Sequence, residues 1–184
     1  MKKGIITIAA MLLFVCTSCS KLFPRKDDFL TIPQTPYTGD EIRTDGFYYQ
    51  TWDDGMKYAE ITFLYNNGVV YQGHGSGDLN KLIEYANKTL LYHDTEKDKK
   101  GFWGLFTVDN NRIVYERWQG SQKGYLVYRE EGDIINDTTF VMTEVSRMNQ
   151  GEKTETKAIE RTYCFKEFSP KPDSTNNVIP KRVK

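Results

Sequence analysis

Residues 58–74 read YAEITFLYNNGVVYQGH, and this stretch decides the fold class of the chain. Its first half places Ile61, Phe63 and Tyr65 at every second position, which is the spacing of one face of a β-strand. The tripeptide Asn66-Asn67-Gly68 then interrupts the pattern, and Asn-Gly readily adopts the positive φ angles of a tight hairpin turn. An extended pattern resumes after the turn. The stretch therefore predicts an antiparallel β-hairpin.

Turn signals recur along the rest of the chain at the spacing of short antiparallel strands. Between them lie period-two stretches rich in Tyr, Phe, Val and Thr, which are enriched in strands. Residues 78–92 differ, because their apolar side chains recur at helical spacing behind Asp78, a favourable residue at a helix N-terminus. We predict this helix and eight strands, A to H, at 46–52, 58–65, 69–74, 102–108, 112–119, 123–130, 138–148 and 156–168.

Eight meandering strands leave two sheet edges with unpaired backbone groups, and closing the sheet removes both edges. We therefore predict an all-β fold, an eight-stranded antiparallel up-and-down barrel with one helix inserted between strands C and D; two packed sheets are the alternative. Such a barrel is either filled by side chains or holds one small ligand. Because several strands carry aromatic residues on both faces, some rings must face outward.

The N-terminus carries the features of an export signal. Lys2 and Lys3 precede an apolar run over residues 5–15, which is shorter than the roughly 20 residues of a bilayer span. The pair Thr17-Ser18 directly before Cys19 resembles a bacterial lipobox, in which cleavage leaves a lipidated cysteine at the new N-terminus. We expect acylation of Cys19; a plain signal peptide that leaves Cys19 as a free thiol is the alternative.

Cleavage before Cys19 sets both the anchor and the redox state of the chain. Cys16 is then discarded and Cys164 is left alone, so no intrachain disulfide is expected. The acyl chains of a lipobox cysteine bind the bilayer, since each buried methylene contributes about 0.8 kcal/mol. By resemblance to known sorting rules, Ser20 implies the outer membrane, and Lys21 favours its periplasmic face. The expected units are a signal peptide (1–18), a lipidated tether (19–40), the barrel (41–168) and a tail (169–184).

The composition argues against several classes of function. The chain has 25 basic and 25 acidic side chains, and this balance leaves no electrostatic basis for binding nucleic acid. His74 and His93 lack the companion Cys or His residues of a typical metal site. The run Gly73–Gly77 fits neither the G-x-G-x-x-G nor the G-x-S-x-G motif. We therefore predict a protein that is not an enzyme and that uses no metal or other cofactor.

A family resemblance rests on the opening strand and on the tail. The chain begins strand A with Gly46-Phe47-Tyr48 and follows strand H with Phe168–Asn176, and in both it resembles the lipocalin-like (calycin) group. More narrowly, it is similar to small Bacteroidetes lipoproteins with lipocalin-like domains. Lipocalins carry a Trp where Tyr48 stands and a basic residue, here Arg161, that packs across this aromatic residue. The resemblance implies a ligand-holding or structural shell.

Arg161 is the most informative charged position. It shares the alternating face of strand H with Tyr163 and other apolar residues, so it points inward if that face is the core. A buried guanidinium needs partners, because unpaired burial costs several kcal/mol. Arg161 therefore either packs on Tyr48 or Phe47 as a cation–π pair or holds a ligand carboxylate. The candidate ligand-binding residues are Arg161, Tyr48, Phe63, Tyr71 and Tyr163.

These observations predict a lipoprotein anchored to the bilayer through Cys19, whose barrel binds a small apolar or amphipathic ligand. The alternative is a solid barrel whose outer aromatic face docks onto another protein of the cell envelope. A cavity of about 300 Å³ or more would favour ligand binding. A filled interior with a large apolar outer patch would favour the interaction module.

Overall fold

Eight antiparallel strands close into a barrel in the order in which they occur along the chain. The computed structural model describes residues 27–53, 57–76, 78–87, 94–122 and 124–179. Each strand pairs with the next, and the last pairs with the first, which confirms the predicted up-and-down barrel. The strands are β1 (Gly46–Asp53), β2 (Lys57–Leu64), β3 (Val69–Ser76), β4 (Trp103–Asp109), β5 (Arg112–Ser121), β6 (Gly124–Asn136), β7 (Thr139–Asn149) and β8 (Glu152–Glu167).

The decisive hairpin and the helix stand where the sequence places them. Gly68 has a φ of 80°, which the β2–β3 turn requires. Helix α1 (Leu79–Tyr85) lies between β3 and β4, and the Asp78 carboxylate accepts a hydrogen bond from the backbone N–H of Lys81 at 3.0 Å. The predicted C-terminal end of this helix falls within residues 88–93, outside the described residues.

The predicted end of strand F at residue 130 is wrong. Strand β6 continues to Asn136, and the chain turns at Asp137 and Thr138. Gly132 is the physical reason: a Cβ on it would lie 2.1 Å from the carbonyl oxygen of Val141. The glycine therefore admits β7 at close range, where the strand pairing shifts its register, and it does not mark a turn.

The barrel closes over a short seam between β1 and β8. Only the residues from Gly46 to Tyr49 pair with β8, opposite Glu167 to Cys164. A Cβ on Gly46 would lie 2.1 Å from the carbonyl oxygen of Lys166, so the seam depends on this glycine. The rest of β1, from residue 50 to 53, does not pair with β8, and β8 before Cys164 does not pair with β1. We call this separation of β1 and β8 the side opening.

One end of the barrel is filled by apolar side chains, and we call it the sealed end. It carries the β2–β3, β4–β5 and β6–β7 turns, and residues 37–45 lie across it. Ile42 of this segment is buried, and the Arg43 backbone N–H donates to the Tyr48 hydroxyl at 3.0 Å. The interior at this end is built from Tyr48, Leu64, Val70, Phe106, Ile113, Tyr115, Phe140, Met142 and Tyr163. The opposite end, with the β5–β6 and β7–β8 turns, is the open end.

A second aromatic cluster lies on the outside of the barrel, as the excess of aromatic residues predicts. Its members come from β1 to β7 and from the segments that cover them. Helix α1 contributes Leu82, the C-terminal segment contributes Phe168 and Ile179, and the N-terminal segment contributes Ile32. The cluster is thus buried by the chain itself. The outward-facing rings are Phe47, Phe63, Tyr65, Tyr71, Trp103 and Trp118.

A buried carboxylate fastens the N-terminal segment to the barrel wall. Glu116 on β5 has no exposed surface and accepts hydrogen bonds from the Thr31 hydroxyl at 2.6 Å and the Ile32 backbone N–H at 3.1 Å. Arg129 on β6 completes the cluster with an ion pair to Glu116 at 2.7 Å. The described part of the predicted tether therefore runs along β5 and β6 in fixed contact with them.

We expect Gly46→Ala to lower the free energy of unfolding by about 2 kcal/mol or more, because the added methyl group meets the backbone of β8. Gly120→Ala is the matched control, since its Cβ would meet only Tyr125, at 3.9 Å. Urea denaturation of the two variants measures the difference. A Gly46→Ala variant as stable as the control would contradict the close contact at the seam.

Candidate functional site

The open half of the barrel holds a cavity of about 960 Å³. This volume lies within the range of roughly 300–1,000 Å³ that is typical of small-molecule sites. The lining comes from the part of β1, β2, β5, β6, β7 and β8 that lies towards the open end. It includes four basic and four acidic side chains, whereas its aliphatic members are Val145 and Ile159. The interior is therefore hollow in this half, and the hollow is mainly polar.

A hydrogen-bond network forms the floor of the cavity. Glu60 Oε1 accepts from the Tyr163 hydroxyl at 2.5 Å, from Gln72 Nε2 at 2.8 Å and from Gln50 Nε2 at 3.2 Å. The Tyr115 hydroxyl donates to Glu130 at 3.0 Å. All of these side chains are buried. Because buried polar groups are stable only with partners, the network fixes the floor above the apolar sealed end.

Glu130 joins the floor to the charged wall of the cavity. Arg161 Nη1 lies 3.3 Å from Glu130 Oε2, and Arg117 Nη2 lies 3.8 Å from Glu130 Oε1. Burial raises the pKa of the Glu130 carboxyl, and the Arg117 charge only partly opposes this effect. Burial also raises the pKa of the Tyr115 and Tyr163 hydroxyls well above the usual range, so both phenols stay neutral. The two arginines thus face a carboxylate that is readily neutralised.

Two arginines of the cavity wall each have a buried hydrogen-bond donor without a partner. Within the described ranges, Arg117 Nε and Arg147 Nε are buried without an acceptor, and both residues line the cavity. A buried unsatisfied donor costs about 1–3 kcal/mol. The same guanidinium groups belong to the lining of the cavity, where their ion pairs are long: Arg117 Nη2 lies 3.8 Å from Glu130 Oε1, and Arg147 Nη1 lies 3.6 Å from Glu155 Oε1. The arrangement is therefore suited to a ligand that brings acceptors, and an anionic group satisfies a guanidinium best.

The five predicted ligand-binding residues do not form one site. Arg161 lines the cavity, and Tyr163 lies in its floor. Tyr48 lies deeper, at the sealed end, and its ring packs against Phe140. Phe63 and Tyr71 face outward and belong to the cluster that the chain covers. Cys19, the predicted lipidation site, falls outside the described residues.

Arg161 does not form the cation–π pair with Tyr48 or Phe47 that the sequence suggests. A cation–π pair at the sealed end contains Arg43 instead. Arg161 makes its ion pair with Glu130, near the cavity. At the sealed end, the guanidinium of Arg43 lies 4.4 Å from the centroid of the Phe165 ring. A basic residue does pack across an aromatic ring there, but it precedes β1 in the chain.

Glu60, Glu130 and Arg117 escaped the sequence analysis. Glu130 is the last residue of predicted strand F, where a charged side chain is expected to be solvated, yet only 2% of its surface is exposed. The available signal is its alternation with Tyr128, which places both side chains on the same face of the strand. Glu60 lies on the opposite face of β2 from Ile61 and Phe63, and the apolar face was taken as the core. Because the chain covers that apolar face from outside, no pattern within β2 reveals that Glu60 is the inward residue.

The described residues contain neither a metal-binding cluster nor a membrane-spanning helix. No group of three or more His, Cys, Asp or Glu residues among them is placed to hold a metal ion. No helix in the described ranges is long and apolar enough to cross a membrane. His93 and the side chains of His74 and Ser76, which the sequence analysis considered, lie outside what the structure describes.

Comparison with known proteins gives no match: no family model, no curated protein and no solved structure is similar to this chain.

The raised pKa of Glu130 predicts a characteristic dependence of stability on pH. A carboxyl whose pKa is raised above its usual value of 4.5 contributes stability that is complete below that pH and is lost as pH rises through the folded-state pKa. Glu130→Gln removes this loss. We therefore expect the free energy of unfolding of Glu130→Gln, relative to the native sequence, to increase as pH rises above 4.5.

Glu144→Gln is the control, because its stability relative to the native sequence should change with pH in the opposite direction. Hydrogen bonds from Lys153 and Ser146 lower the pKa of Glu144, so its contribution is present above pH 4.5 and is lost as pH falls. The relative stability of Glu144→Gln should therefore decrease as pH rises. Urea denaturation over a pH series measures both differences. Parallel curves for the native chain and Glu130→Gln would show that Glu130 is not held in a desolvated site.

Proposed function

We propose that this protein is an envelope lipoprotein, acylated at Cys19, whose lipocalin-like barrel binds a small amphipathic ligand that carries an acidic group. The observation that carries the proposal is the 960 Å³ cavity, whose lining includes Arg117 and Arg147, each paired with a carboxylate beyond hydrogen-bond distance. We propose binding in preference to catalysis.

The lining supports an amphipathic ligand in preference to a purely apolar one. A hydrocarbon in the cavity would take water away from Arg117, Arg147 and Arg161 and offer no acceptor in return, which is costly. A carboxylate, sulfonate or phosphate group accepts hydrogen bonds from the same guanidinium groups. The apolar part of the ligand can lie against Trp52 and Ile159 nearer the entrance.

The outer surface gives less support to the alternative of an interaction module. The aromatic cluster that would dock onto a partner is covered by α1, the C-terminal segment and the N-terminal segment. The large hydrophobic side chains that remain exposed in the described ranges are Phe29, Trp52 and Ile135. Ile135 lies beside the β6–β7 turn, at the end of the barrel opposite the other two. These residues do not form one continuous apolar patch.

The anchor is supported by the sequence, through Thr17-Ser18-Cys19 and the preceding apolar run. We place the protein in the outer membrane, on its periplasmic face, from the residues that follow Cys19. The proposed partners of the protein are then the bilayer and the small ligand.

We expect the intact mass of the native protein to correspond to a chain that begins at Cys19 and carries acyl groups. Cys19→Ala removes the site of acylation, so this variant should keep its signal peptide or leave the membrane fraction. Mass spectrometry and membrane fractionation measure the two effects. A mature chain that starts elsewhere, or that has an unmodified cysteine, would contradict the anchor.

Two fluorescent probes test the ligand class. Anilinonaphthalene sulfonate carries an anionic group, and N-phenylnaphthylamine is a neutral molecule with a similar ring system. We expect the sulfonate to bind more tightly, and Arg161→Met to weaken its binding about tenfold, which corresponds to about 1.4 kcal/mol. Fluorescence titration measures both affinities.

Arg112→Met is the matched control for Arg161→Met. Arg112 begins β5 at the sealed end, outside the cavity, where it pairs with Asp133 at 3.1 Å on the surface. Its loss should leave the affinity for the sulfonate unchanged. Equal affinity for the two probes, together with no effect of Arg161→Met, would indicate an apolar ligand. Failure of both probes to bind would contradict the small-molecule site.

A further inference from the structure

We propose that the open end of the barrel lies against the bilayer, so that the cavity exchanges its ligand directly with the membrane surface. The inference rests on the proposed acylation of Cys19 and adds to it an orientation. Three observations support it: the end at which the chain leaves the barrel, the length of chain between the barrel and Cys19, and the position of two exposed aromatic residues.

The N-terminal segment leaves the barrel at the open end. The Asp28 backbone N–H donates to the carbonyl oxygen of Tyr125 at 2.9 Å, and Gln150 Nε2 donates to the Asp28 carboxylate at 3.1 Å. Tyr125 lies at the start of β6 and Gln150 lies in the β7–β8 turn, so both belong to the open end. From there the segment runs along the wall to Tyr37, whose N–H donates to Asn66 at the sealed end at 2.8 Å.

The chain before Asp27 is too short to allow many orientations. Residues 20–26 separate Cys19 from Asp27, and this stretch reaches at most about 28 Å when fully extended. An anchor of this length places the open end close to the headgroups. If the sealed end faced the bilayer, the same residues would have to run fully extended along the height of the wall.

Two exposed aromatic residues lie on the open end. Phe29 is 49% exposed and lies against Gly151 in the β7–β8 turn. Trp52 is 39% exposed, stacks on Tyr58 with ring centroids 5.8 Å apart, and lines the cavity. Trp in particular is enriched at the interface between water and membrane, where its apolar body and polar N–H are both accommodated. The rim of the cavity therefore has the side chains of a membrane-facing surface.

The side opening connects this rim to the cavity. Trp52 stands on the β1 side of the opening, and Ile159 and Arg161 on the β8 side also line the cavity. An acidic amphiphile at the bilayer surface can therefore enter with its charged group towards the arginines while its apolar part stays near Trp52. The occupant of the rim is a phospholipid surface, and the ligand is an amphiphile dissolved in it.

The chain supplies its own reporter for this orientation. Of its three tryptophans, Trp103 and Trp118 are 3% and 5% exposed, whereas Trp52 lies on the rim. We expect the full-length acylated protein to lose Trp52 emission in vesicles of phosphatidylethanolamine and phosphatidylglycerol with brominated acyl chains, relative to unbrominated vesicles. Trp52→Phe should remove most of this loss; the remainder comes from buried Trp118, whose Nε1 donates to the Asp28 carbonyl oxygen at the open end at 2.9 Å.

A second variant tests the opposite end. Ile135 is 61% exposed at the sealed end, so Ile135→Trp combined with Trp52→Phe places the reporter away from the membrane. This double variant should show no more quenching by the brominated lipids than Trp52→Phe alone. Quenching at position 135, or none at Trp52 in a chain whose intact mass shows acylation, would overturn the orientation and leave the anchor and the cavity standing. A mass without acyl groups would overturn the anchor, and the orientation with it.

Discussion

The pairing of β1 with β8 is the constraint on which the rest of the structure depends. It joins the first and last strands over residues Gly46 to Tyr49 and so removes both sheet edges. Because the pairing is confined to the sealed end, the same seam also defines where the wall separates. One short ladder therefore produces a closed barrel, an apolar plug at one end and a side opening towards the other.

The barrel has buried side chains on both surfaces of its sheet. The outward rings are covered by α1 and by the segments at either end of the described chain, so they stabilise the wall from outside. The hydrophobic core is therefore shared between the outer cluster and the interior of the barrel. Half of it is apolar, and the other half holds Glu60, Glu130 and the arginines around a hollow. Because the outer cluster supplies part of the core, so small a barrel can keep a polar hollow inside.

The sequence analysis predicted the strand order, the helix position and most strand bounds, because turn residues such as Asn67 and Gly68 and the period-two pattern are local signals. It did not predict which face of each strand points inward, since both faces are apolar in parts and the covering segments are distant in the chain. Phe63 and Tyr71 were assigned to the site for this reason. The end of strand F was placed too early because the role of Gly132, close contact with Val141, depends on a strand that follows it in the chain.

The central claim is that the hollow half of the barrel holds an acidic small molecule in the cell. Native mass spectrometry of the protein extracted from its own envelope tests this claim most directly. The account predicts one copy of a small acidic molecule bound to each chain, lost when Arg161 is replaced by Met. A bare chain, or a chain that carries only a second protein, would contradict it.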